Sequence, residues 1–183
     1  CYNQENYLED ALNPLVGVFC DFEVIVVNDG STNEGAEVKI KSICDKFEYC
    51  PLMLLNQTNQ GVCSAKNNGI KMASGEYILP LDADDMLDNS YLKKAAEVLD
   101  KNPKIGIVCC EAELFGEESG KLNLAKPTMI NMLSQNRIFN TAMFRKFDWG
   151  RVGGYNESMK EGCEDWDFWL SLMELGLKPF KIN

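Results

Sequence analysis

Apolar and polar positions switch repeatedly between two periods along this chain. Tyr7, Leu8, Ala11, Leu12 and Leu15 recur at helical spacing and predict an amphipathic opening helix. Residues 22–27 form a short, β-branched apolar run that reads as a buried strand. It stops at Asn28-Asp29-Gly30-Ser31-Thr32, a loop in which Ser31 or Thr32 is the candidate N-cap of the next helix. Ala36, Ile40, Ile43, Cys44 and Phe47 mark that helix, and residues 51–55 the next strand. Val62, Ala65, Gly69, Ile70 and Ala73 mark a third helix ending near Gly75. Strand 77–81 runs into Asp82-Ala83-Asp84-Asp85. Leu92, Ala95, Ala96 and Leu99 predict a fourth helix, and residues 105–110 another strand. The periodicity then lapses over 111–126, which reads as a polar loop. A short helix at 128–133, a strand at 139–144, the turn Gly153-Gly154-Tyr155, a Trp-rich helix at 165–175 and a short last strand complete the chain.

Such alternation predicts an α/β fold: a mostly parallel, Rossmann-like central sheet with helices on both faces. A length of 183 residues suits one domain.

Composition removes several kinds of chemistry. A net charge of −10 argues against nucleic acid as a partner, because that requires a basic face. An acidic protein handling an anionic ligand calls for a cation. The chain has no His, which eliminates Ser-His-Asp and Cys-His catalysis and His-ligated metals together. Cys1, Cys20, Cys44, Cys50, Cys63, Cys109, Cys110 and Cys163 contain no Cys-x-x-Cys pair and read as free thiols of a reducing, cytoplasmic compartment. No apolar run approaches the roughly 20 residues of a membrane helix.

Ligands of open parallel sheets bind beyond the C-terminal ends of the strands. Two acidic clusters fall at such ends, Asp29 and Asp82/Asp84/Asp85, so topology predicts that both border one crevice. Crowded carboxylates repel one another, and a divalent cation with all-oxygen ligands, Mn²⁺ or Mg²⁺, relieves that repulsion. The plainer alternative is that these Asp residues are solvated turn formers. Glu164 and Asp165 likewise suit a helix start without further function, and Trp166 reads as either core or a sugar-stacking face.

At this point the sequence resembles the family 2 glycosyltransferases of the GT-A fold. Tyr2-Asn3 matches the end of the family's opening motif, and Val27-Asn28-Asp29-Gly30-Ser31-Thr32 its Val-Asp-Asp-Gly-Ser-Thr element. Asn59-Gln60-Gly61 with Ala65-Lys66-Asn67-x-Gly69 matches its Asn-x-Gly…Ala-Arg-Asn-x-Gly helix start. Gly75-Glu76-Tyr77 leading to Asp82-Ala83-Asp84-Asp85, then Gly153-Gly154-Tyr155-Asn156-Glu157 and Glu164-Asp165-Trp166-Asp167, follow in the family's order.

The resemblance implies one GT-A domain, with residues 1–110 as the nucleotide-sugar half and 111–183 as the acceptor-side half. It implies a metal-dependent inverting enzyme that moves one sugar from a nucleotide-sugar, a UDP-sugar, to a sugar or lipid-linked acceptor. Peripheral association with the inner face of the membrane follows from family alone. By position, Tyr2, Asp29, Lys66, Asp82 and Asp84 serve the donor nucleotide, and Asp84 and Asp85 the metal. Asp165 is the general base, with Glu164 and Trp166 on the acceptor side. The alternatives are a sugar-nucleotidyltransferase, whose Gly-rich basic loop is absent, and a non-catalytic binding module. Three departures stand out: the family's hydrophobic strand before Tyr2 is not in this sequence, which reads as one that starts late; Lys66 replaces the usual Arg and so cannot make a bidentate fork; and the Gln-x-x-Arg-Trp motif of processive synthases does not occur before Asn183.

Overall fold

The computed structural model describes residues 1–18 and 21–182, so Cys20 lies outside the described residues. Helix α1 (Leu8–Leu12) passes at Pro14 into a 3-10 turn, Asn13–Leu15. Strand β1 (Val24–Asp29) runs two residues past its predicted end. It does so because parallel pairing with β2 (Leu52–Gln57) continues through Asn28↔Asn56 and Asp29↔Gln57, and the Asn28 amide donates to Asn56 Oδ1 at 3.0 Å.

The N-cap expectation fails. Helix α2 (Ala36–Lys46) starts after Gly35, in the left-handed region at φ 76°. Ser31 and Thr32 are engaged elsewhere: Ser31 Oγ accepts from the Asn3 N–H at 3.1 Å, and Thr32 Oγ1 from the Asn3 amide at 3.2 Å. Contacts across the fold outweigh the local capping preference.

Helix α3 (Val62–Met72) leads to β3 (Tyr77–Ile78), shorter than the predicted 77–81. Helix α4 (Tyr91–Lys101) and strand β4 (Ile105–Cys109) fall where expected. The predicted loop at 111–126 contains a hairpin, β5 (Ala112–Leu114) and β6 (Gly120–Leu122). Its residues are mostly exposed on both sides, so no apolar alternation announces it. Helix α5 (Met129–Met132) carries a reciprocal cap between Thr128 and Asn131. Strand β7 covers only Met143–Arg145, instead of 139–144, and is followed by α6 (Lys146–Val152), which the sequence pattern did not reveal. Helix α7 (Glu164–Glu174) and strand β8 (Lys178–Lys181) close the chain.

One ladder pairs β1 with β2 in parallel; a second has the order β3-β7-β4-β8. Strand β7 is antiparallel to both neighbours while β4 and β8 are parallel, so β3, β4 and β8 share a direction. On the free edge of β1, the Cys1 nitrogen donates to the Val27 carbonyl and the Asp29 N–H to the Cys1 carbonyl, each at 2.9 Å. This is a parallel-type bridge.

Period-two alternation sends side chains to two cores. Val26, Val108 and Met143 pack with Leu8, Ile40, Tyr91, Ala95 and Leu99 from α1, α2 and α4. Ile107, Cys109 and Phe144 pack on the other face with Ile70, Phe168, Trp169 and Leu172 from α3 and α7. Fully burying a side chain of this size contributes about 1.5–3 kcal/mol. Phe144, Phe168, Trp169 and Tyr155 therefore anchor the face on which the candidate site is built.

Candidate functional site

The end of β1 carries Asp29, and the segment that follows β3, beyond Ile78, carries Asp82, Asp84 and Asp85. Cys1, bridged to β1 beside Asp29, lies within reach of the charges of Asp82, Asp29 and Asp84 alike.

Asp29 is 4% exposed, and its carboxylate is largely used within the protein. Oδ1 accepts from Gln57 Nε2 at 2.7 Å and from the Gln60 N–H at 2.9 Å; Oδ2 accepts from the Gly61 N–H at 3.0 Å. One acceptor position on Oδ2 remains for a ligand. Gly30 (φ 69°) is required here, since a Cβ would stand 2.6 Å from the Asn59 nitrogen. Tyr2 stands nearby, 44% exposed, beside Asn3, whose side-chain oxygen accepts from the N–H groups of Thr32 and Asn33.

Lys66, on α3, crosses the crevice. Its ammonium donates to Glu164 Oε1 and Asn140 Oδ1, each at 2.9 Å, and lies 3.9 Å from Asp82 Oδ1. It also sits 5.5 Å above the Tyr155 ring. In this structure Lys66 ties α3 to the start of α7, so the side chain expected at the donor also holds the acceptor side.

Asp84 is exposed and Asp85 half-buried. Burial, then the charges of Asp82 and Asp84, push the Asp85 carboxyl up to about 6. Thr141 Oγ1 faces Asp85 and moderates that rise, although no partner lies within ordinary hydrogen-bond geometry of it. Among the described residues no three metal-ligating side chains form a ready cage. The donor set still fits Mg²⁺ or Mn²⁺, which bind through one or two carboxylates and complete their shell with water and phosphate oxygens. A cation there would remove the repulsion that Asp85 carries.

Asp165 opens α7. Its Oδ1 accepts from the Trp166 N–H at 2.7 Å and its Oδ2 from Asn136 Nδ2 at 3.0 Å. Burial is the main cause raising its pKa; Glu164 adds to the rise, while the Trp166 N–H, Asn136 and Lys66 oppose it. Trp166 itself packs against the core, and its Nε1 donates to the Met132 carbonyl at 2.7 Å. Its polar edge is therefore spent within the fold.

Sequence reasoning missed Asn67, Asn136, Asn140 and Thr141. Asn67 pins the Gly153-Gly154-Tyr155 turn: its Oδ1 accepts from the Tyr155 N–H at 2.8 Å and Trp149 Nε1 at 3.2 Å, and its Nδ2 donates to the Tyr155 carbonyl at 2.9 Å and Glu157 Oε1 at 3.0 Å. On the segment 136–141, Asn136 holds Asp165, Asn140 donates to Asp82 Oδ2 at 2.9 Å, and Thr141 faces Asp85. For Asn140 and Thr141 the available signal was polar side chains inside a run read as a strand; Asn67 stood in the Ala65-Lys66-Asn67-x-Gly69 motif without a role, and nothing local marked Asn136.

An α/β sheet carrying carboxylates at its strand ends, with a further carboxylate at the start of α7, defines a GT-A type fold. Residues 1–156 match Glycosyl transferase family 2, and the chain belongs to that family. It is 36% identical over 111 residues to a poly-beta-1,6-N-acetyl-D-glucosamine synthase of Staphylococcus epidermidis, covering 59% of this chain and 26% of that protein. It is 29% identical over 188 residues to an uncharacterised glycosyltransferase of Rickettsia conorii, covering 95% of this chain and 30% of the relative. The chain thus spans under a third of these relatives' length. In fold it resembles S. aureus TarS 1-349 in complex with UDP-GlcNAc, with TM-score 0.78 and 22% identity, over 99% of this chain and 53% of that one. It also resembles the mannosyltransferase PcManGT of Pyrobaculum calidifontis in complex with GDP-Man and Mn2+, with TM-score 0.76 and 19% identity, over 100% and 52% of the two chains.

Proposed function

We propose that this chain is the catalytic core of a metal-dependent, inverting glycosyltransferase. It moves a single sugar from a UDP-sugar to an acceptor hydroxyl in cell-surface polysaccharide or glycoconjugate synthesis, with the acceptor a sugar or a lipid-linked sugar at the inner face of the membrane. The observation that carries this reading is that one short segment, 136–141, holds both Asp165 and Asp82. A candidate base and a donor-side carboxylate are thereby fixed relative to each other.

Tyr2 and the free acceptor position of Asp29 Oδ2 receive the nucleotide base. Asp82 and Asp84 border the ribose, and Asp84 and Asp85 are the residues that would hold Mn²⁺ or Mg²⁺. When bound, that ion supplies Lewis-acid stabilisation of the leaving diphosphate. Asp165 takes the proton of the acceptor hydroxyl as its oxygen attacks the anomeric carbon. With base and leaving group on opposite sides of that carbon, displacement inverts its configuration. The names of the relatives support this reading: one fold neighbour was solved with UDP-GlcNAc and another with GDP-Man and Mn2+.

Asp165→Asn tests the assignment. It should abolish UDP release from UDP-GlcNAc or its congeners while preserving UDP affinity in Mn²⁺. Undiminished turnover would reject Asp165 as the base. The likeness to a polymer synthase supports a second reading, repeated addition to one growing chain. Product length decides between the two: a ladder of sizes in a single encounter favours the polymerase, a single increment the simple transferase.

A further inference from the structure

Asp165 has one direct side-chain hydrogen bond from outside its own helix, and that bond comes from Asn136. The Asn136 amide has only one orientation that suits its surroundings. The Ile138 N–H donates to Asn136 Oδ1 at 3.1 Å, so the NH₂ end must face Asp165, where Nδ2 lies 3.0 Å from Oδ2. The other oxygen, Oδ1, takes the N–H of Trp166 at 2.7 Å. Each carboxylate oxygen therefore carries one donor, one from α7 and one from the segment that also holds Asp82.

We propose that Asn136 is the positioning residue of the acceptor base: it orients the Asp165 carboxylate toward the acceptor hydroxyl. The proposal rests on the reading of Asp165 as base. In the step it supports, the acceptor oxygen bonds to the anomeric carbon and its proton passes to Asp165. The bond from that carbon to the phosphate oxygen breaks, and the nucleoside diphosphate leaves with the electron pair.

The electrostatic surroundings give Asn136 leverage. Burial and the adjacent Glu164 both favour protonation of Asp165. Against them stand the Trp166 N–H, Asn136 and, across the crevice, Lys66 on α3. Tyr155, also facing Asp165, stays protonated because burial and the carboxylates of Asp165, Asp82 and Glu164 hold its pKa far up. It thus brings no competing charge. Lys66 is already committed to Glu164 and Asn140, and the Trp166 N–H belongs to the same helix as the base. Asn136 links the Asp165 carboxylate directly to the segment that also carries Asn140 and Thr141, which bond Asp82 and face Asp85. A hydrogen bond to a buried charged group is stronger than a neutral one, and its loss falls on the ionised form.

Carboxyl-carbon NMR of Asp-labelled protein reads this directly, with the Asp165 signal assigned by its absence in Asp165→Asn. In Asn136→Ala the Asp165 titration midpoint should move up by roughly one unit. In Asn136→Asp, which sets a second carboxylate beside it, the midpoint should move at least as far. With UDP-GlcNAc and Mn²⁺, Asn136→Ala should lower kcat about tenfold and shift the acid limb of the pH profile upward, leaving UDP affinity unchanged. An unmoved Asp165 midpoint in both variants overturns the proposal, as does a parallel loss of UDP affinity and thermal stability, which would make Asn136 a structural strut. Retained turnover in Asp165→Asn is a different failure: it removes the base assignment itself. The NMR readout does not depend on choosing the right donor sugar.

Discussion

The Lys66 ammonium lies 2.9 Å from Glu164 Oε1, and the two side chains are only 10% and 13% exposed. A nearly dry ion pair thus joins helix α3 to the helix that bears the candidate base. Removing one partner of such a pair leaves the other charge buried and poorly compensated. Glu164→Ala should lower the unfolding free energy by about 2–4 kcal/mol, read by urea denaturation. Glu164→Gln keeps an acceptor for Lys66 and should lose roughly half as much. Equal stability of all three proteins would show that Asn140 and Asp82 suffice to hold Lys66.

The acidic cluster makes the metal-free protein sensitive to pH. In the folded chain the Asp85 carboxyl titrates at about 6 against its usual 3.8. Its pKa is raised, so its contribution to stability is present below about pH 4 and is withdrawn as the pH rises through about 6. Mn²⁺ should therefore raise Tm at about pH 7.5 and do so much less at about pH 5, where protons compete for the site. Asp85→Asn should remove most of the Mn²⁺ response and flatten the pH dependence of the metal-free Tm. Thermal shift measured with and without Mn²⁺ across this range checks both, and a Mn²⁺ response intact in Asp85→Asn would move the metal elsewhere.

Asn67 is buried and makes four hydrogen bonds, two of them to the backbone of Tyr155. Asn67→Ala strands the Tyr155 N–H and carbonyl in the core and should cost about 3 kcal/mol. Gly154→Ala attacks the same contact from the other side. Gly154 has φ 83°, and an added Cβ would lie 2.7 Å from Asn67 Oδ1. That strain should cost at least about 1 kcal/mol. The double variant should lose less than the sum, because both changes remove one junction. Chemical denaturation of the four proteins measures the coupling, and strict additivity would separate the two residues.

Much of the layout was legible because it depends on local signals. Asp29 could be placed at a strand end from the apolar run before it, whereas Asp82, expected at the end of strand 77–81, stands beyond a β3 that stops at Ile78. The N-cap of α2 was misread because Ser31 and Thr32 bond to Asn3, which is remote in sequence, and nothing in their own neighbourhood shows it. Hairpin β5–β6 escaped because it buries neither side. The role of segment 136–141 escaped for a further reason: an Asn has the same letter whether it faces solvent or a carboxylate brought in from α7. Lys66 was singled out as a departure from Arg, yet its bond to Glu164 needed the fold.

Strand β7, contributed by residues 111–183, lies between β3 and β4, contributed by residues 1–110. The boundary expected near residue 110 is therefore no cleavage point. Severing the chain there would open a sheet on both fragments and expose strand edges prone to association. Exchange of whole halves between relatives is correspondingly hard to survive, whereas the β5–β6 hairpin, paired only with itself, can be remodelled without breaking that sheet.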